Sequence, residues 1–198
     1  DPNFIKDLAG INADIFVVIA FKILPSKVFS IPQYGSINLH ASLLPKYRGA
    51  APIEHSILNG DKYTGVTTFC IDKKVDTGKI LLSSKYYIGD DSNFGIVHND
   101  LSQLGAKITL ETINRISSNS IKPISQKEDY SRAPKIINTQ DCKIDFNKPA
   151  SFVYNQVRAF SPNRGAFTFI NNRRVKIFKV AIDKIDLDPG EILIDTNI

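Results

Sequence analysis

The 198-residue sequence contains no methionine and no tryptophan, two cysteines and three histidines. Cys70 and Cys142 lie far apart, without metal-ligand spacing. That excludes a disulfide framework and a cysteine-based zinc site, and leaves two structural thiols of a reducing compartment. No apolar run approaches the roughly 20 residues that cross a bilayer. The longest, 15–21, is strand-sized, so no membrane contact is expected. No glycine-rich phosphate loop and no metal cluster appear. No signal-peptide pattern is visible, and the expected location is cytoplasmic. The chain opens on Asp1, inside what reads as a helix, so an upstream segment is expected to be missing.

What is present is ordinary for a globular protein: 42% hydrophobic and 23% charged residues. The length suffices for a large domain plus a smaller one. The net charge of +5 is unevenly placed. Residues 1–121 carry 12 basic and 11 acidic side chains, and residues 122–198 carry 13 and 9. A basic C-terminal part fits a polyanionic partner, although a modest excess also describes a solvated surface.

The first two-thirds alternates helix and strand. Phe4, Ile5, Leu8 and Ile11 have helical spacing. The β-branched run 15–20 reads as a strand buried on both faces. Pro25 and Ser26 open a helical turn, and 36–40 is a second short strand. Residues 51–58 read as a helix, and 64–71 and 79–88 as strands. Ser92 is the expected N-cap of a long helix whose stripe is Val97, Leu101, Leu104 and Ile108. This alternation predicts an α/β fold with a parallel-rich sheet over 1–121. Residues 122–147 are polar, contain Pro123 and Pro134, lack a period, and read as a linker. Pro149 opens a helix carrying Phe152, Val153, Val157 and Phe160. Residues 166–170 and 174–180 form a hairpin around Asn171-Asn172, and a further strand is expected over 191–194. The third part, 148–198, is therefore a small β domain, expected to be incomplete.

Chemistry concentrates in residues 38–49. Asn38 and His40 lie two apart on a predicted strand, so their side chains share one face. An amide and an imidazole side by side can polarise a carbonyl, donating to the oxygen that becomes negative. A bare Asn-x-His is more often a structural pair, so its context matters. His55 and His98 read as packing or surface residues. Arg48 is open to two readings, an anionic substrate or a structural ion pair.

That context is Asn38-x-His40-x-Ser42-Leu43-Leu44-Pro45 followed by Tyr47-Arg48-Gly49-Ala50-Ala51-Pro52. With Thr64-Gly65-Val66-Thr67 and Val75-Asp76-Thr77-Gly78-Lys79-Ile80, it closely resembles the hallmark of the folate-dependent formyltransferases. The resemblance covers essentially the whole chain. It implies a Rossmann-like formyltransferase domain, N-terminally truncated, over 1–121, then the linker and an OB-like β-barrel domain. It implies 10-formyltetrahydrofolate as co-substrate, with no metal. It makes Asn38, His40 and Asp76 the catalytic residues, with Asp72 as the rival carboxylate. Ser42, Leu43, Leu44 and Pro45 would border the folate. Among the family's acceptors, the β-rich basic tail points to initiator Met-tRNA. Arg48, Arg173 and Arg174 are then candidate tRNA contacts, joined in the tail by Arg164, Lys176 and Lys179. An enzyme acting on a nucleotide-linked amino sugar, or a non-catalytic folate-binding relative, is the alternative. One departure stands out: Ser161-Pro162-Asn163-Arg164-Gly165 occupies the place where the family often has Trp-Pro-Gly.

Overall fold

The computed structural model describes residues 2–19, 23–127, 137–183, 185 and 188–191. In chain order it contains α1 (Pro2–Gly10), β1 (Phe16–Val18), α2 (Ser26–Phe29), β2 (Ser36–His40), α3 (Pro52–Leu58), β3 (Tyr63–Cys70) and β4 (Ile80–Tyr87). Then come α4 (Phe94–Ser117), a 3-10 turn (Gln140–Cys142), α5 (Ala150–Phe160), β5 (Ala166–Ile170) and β6 (Arg173–Ile177). The α/β alternation expected for the first part is present.

The main sheet has the order β1-β2-β3-β4. Only β1 and β2 run parallel; β3 is antiparallel to both β2 and β4. The expectation of a parallel-rich sheet is therefore corrected. Residues 71–79 are too short a connection for a parallel crossover, which needs a dozen residues or more, so β3 and β4 form a hairpin. β1 also departs from its expected burial on both faces. It has only β2 beside it among the described residues, and Val17 and Ile19 are 40% and 57% exposed. The expected continuation of β1 to residue 20 lies outside the described residues, as does Pro134.

The long helix α4 begins one residue later than expected. Its N-cap is Asn93 rather than Ser92, with Asn93 Oδ1 accepting the Ile96 N–H at 3.0 Å. Its stripe of Val97, Leu101 and Ile108 is buried as the 3.6-residue period requires. Thr112 continues the stripe, and its hydroxyl meets that of Thr68 on β3 at 2.7 Å. This contact fixes the helix on the sheet without leaving a buried hydroxyl unpaired.

A single apolar cluster joins α3 (Ile53, Ile57), β3 (Val66), α4 and α5 (Val157, Phe160) to Phe167 of β5. Within the stretch expected to be a linker, Ile137, Cys142 and Ile144 are buried in the same cluster. Polar ties reinforce the join. The Arg158 guanidinium donates to the carbonyls of Gly89, Asp90 and Ser92, and Arg164 donates to that of Ile137. Both cysteines are free thiols.

β5 and β6 form an antiparallel pair. Asn171 and Asn172 both have positive φ, 48° and 60°, as a two-residue hairpin turn demands. The two strands form no closed barrel among the described residues. The further strand expected over 191–194 lies, beyond Glu191, outside them. No helix among the described residues is long and apolar enough to cross a membrane.

Candidate active site

β2 carries the centre of the site. Its ladder partners lie on both sides: Asn38 is level with Val18 of β1 and Phe69 of β3, and His40 with Thr67. Asn38 and His40 therefore project from one face of a strand clamped by two neighbours. Both open onto a cavity of about 750 Å³, with Asp76 and Gly49 also on its wall. Leu101, Ser102 and His98 of α4 line it as well. Asn38 Oδ1 is shielded from solvent and has no hydrogen-bond partner among the described residues. A buried acceptor without a partner is costly, so a donor from water or from a bound group is needed there.

His40 is 8% exposed, and its Nε2 lies 2.8 Å from the carbonyl oxygen of Tyr47. A carbonyl only accepts, so Nε2 carries the proton and donates. The other ring nitrogen, Nδ1, faces Asp76, with Oδ2 at 3.7 Å. The same Oδ2 accepts the Gly49 N–H at 2.8 Å. The imidazole is thus held at one nitrogen while the other is left for proton transfer beside a carboxylate.

The carbonyl that holds His40 is itself anchored. Tyr47 is buried and sits at φ 58°, and its hydroxyl donates to Asp61 at 2.6 Å and accepts from Asn59 at 2.8 Å. Burial and the Asp61 carboxylate push the Tyr47 phenol up to about 12. The preceding turn is pinned to β3. Thr67 Oγ1 donates to the Ser42 carbonyl at 2.7 Å and accepts the Leu44 N–H at 3.1 Å.

Asp76 lies on the loop between β3 and β4, at φ 54°. A non-glycine residue there is strained by about 1–3 kcal/mol and persists only when its surroundings impose it. Gly78 lets the loop pass against Cys70, since a Cβ on it would stand 1.6 Å from the Cys70 carbonyl oxygen. Asp72 does not reach His40. Its carboxylate accepts from the Thr77 hydroxyl and the Lys74 N–H within its own loop.

Other expected residues fall differently. The Ser42 hydroxyl is fully buried and donates to the Lys46 carbonyl, and Leu44 is buried. None of residues 42–45 lines the cavity, although Leu43 and Pro45 are half-buried. Arg48 points its guanidinium at Gln126 Oε1, with bonds of 2.9 and 2.6 Å. Arg173 and Arg174 lie on β6, away from the cavity wall, with Arg174 stacked 3.8 Å over the Phe167 ring. Arg164 is engaged by the Ile137 carbonyl and lies 3.9 Å from Glu54. His55 is buried, whereas His98, read as structural, is exposed at the cavity. The spacing of residues 98, 101 and 102 on one helix stripe was the signal that could have found it. No group of three His, Cys, Asp or Glu side chains among the described residues could hold a metal ion.

An amide, an imidazole and a carboxylate around one cavity suit group transfer to or from a carbonyl-like carbon. Comparison with known proteins agrees with that class. Residues 1–113 match the formyl transferase family, and residues 136–197 match the formyl transferase C-terminal domain. The chain belongs to the formyl transferase family. It is 47% identical over 174 residues to a methionyl-tRNA formyltransferase of Azobacteroides pseudotrichonymphae, covering 85% of this chain and 53% of the relative. Against that of Thermodesulfovibrio yellowstonii it is 43% identical over 194 residues, 98% of this chain and 63% of the relative. The chain thus spans between about half and two-thirds of the length of these relatives. The crystal structure of HypX from Aquifex aeolicus in complex with tetrahydrofolic acid superposes with a TM-score of 0.77 at 19% identity, over 98% of this chain and 34% of that one. At that identity the likeness concerns the fold alone.

Proposed function

We propose that the protein is a methionyl-tRNA formyltransferase, moving the formyl group of 10-formyltetrahydrofolate onto the amine of initiator Met-tRNA in the cytoplasm. The observation that carries this reading is the convergence of Asn38, His40 and Asp76 on one cavity wall, in a chain similar to enzymes of that name. The amine nitrogen attacks the formyl carbon, and its electron pair pushes the carbonyl electrons onto oxygen. The Asn38 amide and a proton on His40 Nδ1 stabilise that oxyanion. Asp76 stabilises the imidazolium and takes the proton shed by the attacking amine. As the tetrahedral centre collapses, the carbon–nitrogen bond to the folate breaks and the proton passes to the departing folate nitrogen. No covalent enzyme intermediate is required. On this reading the folate borders the turn of residues 42–45, of which Leu43 and Pro45 are half-buried and none lines the cavity.

The same reading divides the chain into a formyltransferase part over 1–121, a joining segment over 122–147, and a C-terminal part over 148–198 that belongs to an OB-like barrel. On that part, Arg173 and Arg174 contact tRNA phosphates. Replacing both should flatten the salt dependence of tRNA binding; an unchanged slope removes them from the interface. The function itself is tested by tetrahydrofolate release from 10-formyltetrahydrofolate with Met-tRNA, amino-sugar nucleotides or no acceptor. Release only with Met-tRNA is the expected result. Release with the sugar nucleotide instead would sink the assignment.

A further inference from the structure

Three consecutive residues each hold one piece of the site. The Tyr47 carbonyl accepts from His40, and the Gly49 N–H donates to the Asp76 carboxylate. Between them, the Arg48 side chain reaches a residue 78 positions away, Gln126. Gln126 then turns back to the Asp76 loop. Its Nε2 donates to the carbonyl of Asp76 at 3.0 Å and to that of Gly78 at 2.7 Å. The hydrogen bonds close a circuit: Arg48 to Gln126, Gln126 to the backbone of Asp76, the Asp76 side chain to Gly49, and Gly49 to its chain neighbour Arg48. Gln126 is delivered there by Ile124, whose N–H and carbonyl both pair with Ile80 at the start of β4, at 2.8 Å each.

We infer that Gln126, held by Arg48, is a positioning residue that sets the distance between Asp76 and His40. The inference rests on the formyl-transfer reading for its kinetic consequence but not for its geometry. Asp76 is in a strained backbone conformation, and its carboxylate stands 3.7 Å from His40 Nδ1. Two donors on the carbonyls flanking Thr77 leave the loop little freedom to relax away from the imidazole. The paired guanidinium bonds on Oε1 orient the amide, so that Nε2 and not Oε1 faces the loop. They also polarise it, which strengthens Nε2 as a donor. Arg48, expected to touch substrate or to form an ion pair, is spent instead on an amide that braces the carboxylate.

The test replaces Gln126 by Met, which keeps length and loses every hydrogen bond, and by Glu, which keeps the bond to Arg48 and loses the donor. Other titratable groups near the pair are Asp72, Lys73 and Lys74 on the same loop and His98 across the cavity. For this reason the readout is specific to His40: its imidazole titration followed by nitrogen NMR in the purified protein, beside kcat, KM and the pH profile of formyl transfer. Misplacing a catalytic group by an ångström costs up to about 100-fold. Gln126→Met should lower kcat between about 10- and 100-fold, leave KM for both substrates within about twofold, and shift the His40 titration. Gln126→Glu should move the acid limb of the kcat profile upward, because a second carboxylate then stands beside Asp76. Unchanged kcat and an unchanged His40 titration in Gln126→Met overturn the inference. So does a loss of activity that merely tracks a loss of folded protein. If the unsubstituted protein transfers no formyl group to any amine while the His40 titration still responds to Gln126→Met, the positioning stands and the functional reading falls.

Discussion

The site is assembled from two halves held in different ways. Asn38 and His40 stand on β2, flanked on either side by β1 and β3, and their spacing is set by the pleat of the sheet. Asp76 stands on a loop, at positive φ, and is kept in place by a Gly49 N–H and a glutamine from far along the chain. Groups that must meet a charge developing on the substrate profit from being rigid beforehand. A loop-borne carboxylate reaches comparable precision only through contacts distant in sequence. The strand half should therefore answer mainly to changes at its own residues, and the loop half to changes elsewhere.

The largest effects test that division directly. Asn38→Ala on the strand and Asp76→Asn on the loop should each lower kcat by about two to three orders of magnitude, the usual loss for an oxyanion donor or its proton partner. Thermal unfolding should be little changed in either. Near-normal turnover in Asp76→Asn would remove that residue from the mechanism and make Asp72 the next to examine.

Gly78→Ala should separate the halves further. Its Cβ would collide with the Cys70 carbonyl, which is backbone and cannot swing aside. The loop must shift, at a cost of about 1–3 kcal/mol. We expect a lower midpoint of thermal unfolding and a fall in kcat, while the β2 amide signals in an NMR spectrum stay in place. A variant as stable and active as the parent would show that the loop adjusts freely and that the contrast is false.

Tyr47→Phe should have the smallest effect and act on the strand half. Losing the hydroxyl leaves Asp61 and Asn59 without their shared partner, a cost of about 1–2 kcal/mol in stability. Turnover should fall only a few-fold, because the carbonyl that holds His40 remains. The substitution also has a pH signature. Burial, and then the Asp61 carboxylate, push the folded phenol up to about 12. Its contribution to stability is complete below the unfolded pKa and is lost as pH rises toward the folded one. Tyr86, pushed to about 12 by burial and then by its bond to Asp100, acts with the same sign. Stability should therefore decline between about pH 10 and 12, less steeply in Tyr47→Phe than in the parent. Equal slopes in equilibrium unfolding would refute that account of Tyr47.

The same division explains what could be read in the sequence. A strand repeats every two residues, so Asn38 and His40 were placed on one face from spacing alone. The helix stripe of Val97, Leu101 and Ile108 was equally plain. Asp76 had no such period. Its partnership with His40 came from a resemblance, since local pattern does not say which loop folds back on which strand. Gln126 left no trace at all. It sits in a polar stretch after Pro123 that looked like a connector, 50 residues from the backbone it braces. The direction of β3 was misjudged because βαβ alternation is silent on whether the next strand crosses over or turns back. A β-branched run such as 15–20 shows hydrophobicity and not what covers it.

The buried cluster that runs from Ile53 through Val97 and Phe160 to Phe167 has a consequence for how the chain melts. It draws side chains from both family-matched stretches. The two stretches therefore share one buried cluster. Denaturation should therefore be a single cooperative event, with no half-folded species carrying an intact cavity. Ile53 is both a wall of that cavity and a member of the cluster. A wedge or void introduced at Phe160, far along the sequence, would accordingly be transmitted through α3 to the chamber where the chemistry takes place.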